Sequence, residues 1–426
     1  MTIANAFSSA LSGLTAASKA AELVSSNIAN ATTAGYARRT LNLTSNATYT
    51  NGQGVRIVGV SRNVDQPLIS DRRLAQAEQG GADTITAFFQ RIETTMGTPD
   101  QAYSLSGRVA TFNAALTEAA SHPESEPRLT AVAGAATSLI AGIATVGNDI
   151  QSARTAADTE IGREVTQLND ALQKADEINV QIRRGVDAGQ DTSGLQDQRQ
   201  QLVDQIAQIV PLREMQHDDG SISLYTTGGA VLLDTKASVF GFSATSAIAA
   251  PMTLQSGGLS GLTLNGRSIL TSGDSSPILG GSLAANFAVR DDLGVKAQAQ
   301  IDGVARDLVE RFQGPSVDTT LAAGDAGLIT DHGAAFDPAN EVGLAQRLSL
   351  NAAADPAQGG ALWRLRDGLG ATTPGNVGDS TLLTKLNTAL TADRTPVSGG
   401  FMAGARSFSV LASNLLSSTA SSKLAA

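Results

Sequence analysis

Apolar residues recur at alternating intervals of three and four over the first thirty positions. Phe7, Ala10, Leu14, Ala17, Ala21, Val24 and Ile28 fall on successive a and d positions of a heptad, with Leu11 beside them. The spacing predicts a helix from about Ile3 to Ile28. Small Ala alternating with larger aliphatics lets a second helix approach closely, so this seam requires either a partner helix or a bed on its own domain. The pattern then breaks in "SSNIANATTAGYARR", residues 25–39. Asn30 and the threonines there can bond orphan backbone groups at a helix end, Gly35 can take a positive φ, and Tyr36 can anchor whatever follows.

Beyond Tyr36 the period changes to two. "GQGVRIVGVSR" puts Val55 and Ile57 on one face and Val58 and Val60 on the other, a strand expected to pair with Thr40–Thr44 in a hairpin. Helical periodicity returns from Asp65 to Phe89, and a further helix is stopped at His122-Pro123. Long helices are predicted from Arg128 to Val210. One stripe comprises Ile161, Val165, Leu168, Leu172, Ala175, Ile178 and Ile182. A second, Leu195, Leu202, Ile206 and Ile209, follows a break over Gly185–Gly194, and together they read as an antiparallel helical hairpin. Pro211 ends that unit.

"HDDGSISLYTTGGAVLLD" opens a β-rich stretch, about 217–285, on an Asp-Gly turn. Helical text resumes over 283–312, where Leu293, Ala297, Ile301, Val304 and Leu308 share a face. Residues 313–400 alternate loops with short helices such as Ser380–Ala392, and 401–426 read as a short helix and a small-residue tail. The expected fold is mainly α with an inserted β domain (α+β), multi-domain and elongated. Its divisions are 1–75 (coiled-coil helix, turn and hairpin), 76–215 (long helices), 216–285 (inserted β region) and 286–426 (return helix and remainder of the helical body).

Composition narrows what such a chain can do. Its 426 residues, 42% of them hydrophobic, suffice for a sizeable core, while 4% aromatics favour slender helices over one bulky centre. A formal charge of −10 argues against nucleic acid or anionic lipid as a partner. With no Cys there are no disulfides, thiolate metal sites or thiol nucleophiles. No run of about 18 apolar residues suggests a membrane span, and no Lys or Arg precedes Lys19 to start a secretory leader. His122, His217 and His332 lie far apart without metal-site spacing, and no nucleophile elbow or phosphate loop is present. The adjacent Asp218 and Asp219 before Gly220 fit a hairpin turn better than a calcium loop. Neither an active site nor a cofactor site is expected, and no small-molecule substrate.

The stretch Asn27, Ala29, Asn30, Thr33, Gly35, Tyr36 and Arg38 resembles the signature of the bacterial flagellar axial proteins, the rod, hook and hook-associated family. That family usually places Pro before the Gly, where this chain has Ala34. "GQGVRIVGVSRNVDQPLISDRR", "FNAALTEAASHPESEPR" and "SGLQDQRQQLVDQIAQIVPLREMQHDDGSISLY" are similar to the longer hook-associated members, and rod proteins are too short to contain them. The likeness is patchy from residue 1 to about 312 and weak beyond.

The resemblance implies a non-enzymatic structural protein secreted through the flagellar type III channel and assembled outside the cell as a ring of identical subunits between hook and filament. Its implied partners are itself, the hook protein, a second junction protein and an export chaperone. It also implies a terminal apolar-heptad helix pairing with the first, a pattern not found after Phe401. A hook or distal-rod subunit is the neighbouring alternative. A secreted adhesin using 217–285 as its binding face is another, and a secreted hydrolase would require a clustered acid and base in a pocket.

Overall fold

In the computed structural model, which describes residues 3–48 and 51–425, the first helix is α1, Ile3–Ala29. A hairpin of β1 (Arg38–Thr48) and β2 (Asn51–Asn63) follows, then α2 (Gln66–Met96), α3 (Leu105–Ser121), α4 (Glu126–Asp187) and α5 (Ser193–Ile209). Strands β3 (Leu212–Gln216), β4 (Ile222–Thr226) and β5 (Val231–Leu233) form one antiparallel sheet. A second contains β6 (Phe240–Gly241), β7 (Leu262–Leu264) and β8 (Arg267–Ile269). Helix α6 (Gly281–Ala288) passes through one π-helical turn at Val289–Leu293 into α7 (Gly294–Phe312). The last part holds the paired β9 (Ile329–Asp331), the one-turn α8 (Leu344–Arg347), β10 (Leu348–Leu350), the one-turn α9 (Arg364–Asp367), α10 (Thr381–Thr391) and α11 (Phe408–Leu424). Mainly helical with small β sheets set between helices, this is the class that the periodicities predict.

The chain forms two compact units. Met1–Gly81, Ile161–Ser243 and Gly261–Ala284 make the first; Ala82–Glu160, Ala244–Ser260 and Ala285–Ala426 make the second. The β-rich stretch is therefore interrupted: its strands belong to the first unit while the segment 244–260 belongs to the second.

The core of the second unit gathers Phe88 and Met96 of α2, Phe112 and Leu116 of α3, and Leu139, Ile143 and Ile150 of α4. Leu308 and Phe312 of α7, Leu386 of α10, and Phe408 and Leu411 of α11 complete it. Phe112 and Phe312 meet edge to face, their centroids 5.9 Å apart. Helix α7 also buries charge. Arg311 pairs with Asp307 at 2.6 Å and donates to the carbonyls of Ala389, Leu390 and Ala392, satisfying acceptors that the end of α10 leaves open. Asp302 accepts from the Gly343 and Ala345 amides at 2.7 and 2.9 Å and fixes the start of α8.

The π turn, invisible to periodicity, leaves the Arg290 carbonyl to accept from Arg154 Nε at 2.8 Å. Arg154 Nη2 also holds the Met252 carbonyl, and Asp158 accepts from the Thr245 amide, so buried charge ties the segment 244–260 to its unit.

The expectation that no run of about 18 apolar residues is present fails in α4. An 18-residue window inside α4 reaches a mean hydropathy of 1.8, enough by length and composition to cross a membrane, although half of it is buried within the protein. Its Ala-rich, Gly-containing text gives slender apolar surface that other helices cover, which is how a core helix passes the same test.

Candidate functional site

The seam that opens the sequence lies on the surface. Phe7 is 73% exposed, Leu14 68% and Ile28 74%, and Leu11, Val24, Ala10, Ala17 and Ala21 are exposed with them. The helix stays attached through a different stripe. Asn5, Ser9, Ser12, Ala16, Lys19, Leu23, Ser26 and Asn30 keep the same three-and-four spacing and are buried or half-buried. Ser12 Oγ accepts from the Val55 amide at 3.2 Å, so this stripe meets the hairpin. Gly54 makes the contact possible: at φ +80° it admits Ser12 to a place where a Cβ would lie 2.1 Å from the hydroxyl. The hairpin thus seats a small, largely polar stripe and leaves the large apolar one uncovered among the described residues.

The turn after α1 is closed by one amide side chain. Asn27 Oδ1 accepts from the Arg39 amide and the Tyr36 hydroxyl, both at 2.9 Å, and Asn27 Nδ2 donates to the Arg39 carbonyl at 2.9 Å. Asn27 therefore pairs with β1 as a neighbouring strand would, from the end of a helix. Asn30 Nδ2 donates back to the Ser26 carbonyl, and the Thr33 hydroxyl donates to Asn30 Oδ1 at 3.4 Å. Gly35 sits at φ +77°, and a Cβ there would also press on Gln201 at 2.6 Å. Ala29 and Arg38 are exposed; Arg38 lines an apolar groove with Leu23, Val24, Ile28, Leu41 and Leu43.

The next residue carries the ion pair. Arg39 Nη2 reaches Asp197 Oδ2 at 2.7 Å, Arg62 reaches Oδ1 at 2.8–2.9 Å, and the Ala37 amide donates to the same carboxylate. Gln201 Nε2 donates to the Ala34 carbonyl at 2.6 Å. Arg73, buried on α2, adds bonds to Asp204 of α5 and Glu214 of β3. Helix α5 is thus a rail to which turn, hairpin and α2 are each tied.

Sequence reasoning missed Arg39, Arg62, Asp197 and Arg199. The available signal was a charge in phase with an apolar stripe: Arg199, Val203, Ile206 and Val210 are spaced by four, three and four and are all buried. Leu195 and Leu202, chosen for that stripe, are half-buried beside it. Among the described residues, no group of three or more His, Asp or Glu side chains is placed to hold a metal ion.

The comparisons with known proteins agree with this geometry. Residues 7–36, the exposed helix and its turn, match a family described as flagella basal body rod protein, a likeness to proteins of the flagellum. Residues 89–323, more than half of the chain, match the flagellar hook-associated protein FlgK helical domain, and the chain belongs to that family.

It is 32% identical over 231 residues to flagellar hook-associated protein 1 of Salmonella typhimurium, covering 53% of this chain and 41% of that protein. The proteins of that name from Escherichia coli and Bacillus subtilis are 29% and 24% identical, covering 53% and 52% of this chain and 42% and 46% of theirs. The chain spans less than half the length of these relatives. The solved structure of the flagellar hook junction protein FlgK from Burkholderia pseudomallei shares the fold, with TM-score 0.50 at 17% identity, over 61% of this chain and 46% of that one.

Proposed function

We propose that this chain is a structural subunit of the junction between flagellar hook and filament, assembled through the exposed face of α1. One observation carries the proposal: a helix already seated on its hairpin through one stripe still presents Phe7, Leu11, Leu14, Val24 and Ile28 to solvent. Each such side chain gains about 1.5–3 kcal/mol on full burial, so seams of this kind hold subunits together once several are covered at once. In this reading residues 1–75 are the assembly region. The Asn27–Arg39 turn fixes the seam's direction, and the occupants of the seam are copies of this chain within a ring. Hook protein on one side and a second junction protein on the other, an export chaperone, and secretion to an extracellular position in the flagellum complete the proposal, resting on the family. The same family supports a structural rather than a catalytic role.

The test is Leu14→Asp. The variant should melt within a few degrees of the parent, because Leu14 touches little in the monomer, while losing incorporation into flagella and leaving hooks that shed filament subunits. A strongly lowered melting temperature, or normal motility, would overturn the proposal.

A further inference from the structure

Inside the first unit lies a polar cavity of about 80 Å³. Its walls come from the end of β2, the start of α2, α5 and the β3–β4 turn. Three guanidinium groups line it. Two have carboxylates in contact: Arg62 has the Asp197 that it shares with Arg39, and Arg73 has Asp204 together with Glu214.

Arg199 is different. It is 6% exposed, and among the described residues its bonds run from Nη1, to Asn179 Oδ1 at 2.7 Å and to the Gly220 carbonyl at 2.8 Å, both neutral acceptors. Glu214 and Asp219 act on it only from a distance, and burial lowers its pKa to about 10. A buried guanidinium without a carboxylate in contact is costly, because desolvation is not offset by a paired charge. Water can fill the space but cannot neutralise the cation. Around it stand Gln66, Gln196, Gln200 and Gln216, and the lining also includes His217 and the Glu214 carboxylate, which Arg73 holds at 2.8 Å. Gln200 and Gln196 turn their oxygens to Arg62; Gln196 Nε2 also donates to Thr192 Oγ1 at 3.1 Å and Gln216 Nε2 to Glu214 Oε1 at 3.4 Å, so each of those two amides keeps one further N–H and Gln200 keeps its pair.

We propose that this cavity binds one small tetrahedral oxyanion, phosphate or sulfate, with Arg199 as its charge partner and the glutamine amides as neutral donors. A cation with in-plane N–H groups, surrounded by donors from several walls, suits an anion with several oxygens better than chloride. The bound anion would join α5, α2 and the β3–β4 turn, and so stiffen the rail that carries the signature turn. The inference is independent of the proposed assembly.

The experiment is calorimetric and thermal titration of the full chain with sodium phosphate and sodium sulfate, against sodium chloride at matched ionic strength. Saturable binding near one oxyanion per chain is expected, with a melting temperature that rises with concentration and a chloride control that stays flat. Arg199→Gln should weaken it at least tenfold while keeping the far-ultraviolet circular dichroism of the parent. Equal responses to all three salts, or phosphate binding unchanged in R199Q, would overturn the site. Should R199Q fail to fold, the wild-type calorimetry decides alone: a saturating phosphate isotherm supports the site and a flat one rejects it. Comparison of phosphate with sulfate identifies the preferred source.

Discussion

Arg39 and Arg62 stand directly opposite each other in the β1–β2 ladder, and both donate to the carboxylate of Asp197 on α5. Like charges at paired positions weaken a hairpin, so this register is tolerable only because one anion lies between them. Asp197→Ala should therefore cost about 3 kcal/mol, the lower end of what leaving a buried pair uncompensated costs. A double-mutant cycle gives the sharper test. Arg62→Gln in the D197A background should restore part of the loss, since it removes the repulsion. Additive losses by urea denaturation would show that Asp197 acts on the two arginines separately.

Asn27 tests the turn itself. Asn27→Ala removes three hydrogen bonds, each worth about 0.5–1.5 kcal/mol net, so a loss of about 2 kcal/mol is expected. The Arg39 amide should become one of the most accelerated in hydrogen exchange, because Asn27 Oδ1 is its acceptor. Unchanged protection at Arg39 would mean that the ladder, not the asparagine, holds the start of β1.

Gly35→Ala meets two obstacles, a φ of +77° and a Gln201 side chain 2.6 Å from the new methyl. Left-handed backbone alone costs about 1 kcal/mol for a residue with a Cβ. Gln201→Ala relieves the second obstacle but also removes the Gln201 bond to the Ala34 carbonyl, so the double variant is expected to recover part of the stability lost by G35A and not all of it. Full recovery in thermal melts would assign the whole effect to the contact.

Asp302 supplies a pH signature. Burial pushes its carboxyl up to about 6 from an ordinary 3.8, against three N–H donors that favour the charged form. A raised folded-state value means that the group's stabilising contribution is full below about 3.8 and is lost as pH rises through 6. Asp302→Asn cannot titrate and loses an acceptor, so it should be offset downward yet decline less between pH 4 and pH 7. The two curves should converge by up to about 3 kcal/mol over that window, from about 1.4 kcal/mol per pKa unit. Parallel curves in urea titrations at pH 4, 5, 6 and 7 would contradict this.

Much of this protein follows from local periodicity, which depends only on residue order. The heptad from Phe7 to Ile28, the period-two text around Val55, the long stripe from Ile161 to Ile182 and the stop at Pro123 each predict their element, because helix and strand geometry alone sets which side chains share a face. The turn signature was legible too: Gly35 needs its positive φ whatever surrounds it.

Periodicity does not say which of two stripes on one helix is covered. On α1 both keep the same spacing, and the more hydrophobic one faces solvent, because the hairpin docks where Ser9, Ser12 and Gly54 allow close backbone approach. Nor does residue order reveal that Arg39 and Arg62 share Asp197, more than 130 positions away along the chain, or that Arg199 is buried without a carboxylate in contact. Charge pairing over such separations is fixed only when the chain has folded and distance in space replaces distance in sequence. The ties that orient the turn are therefore a property of the tertiary structure alone.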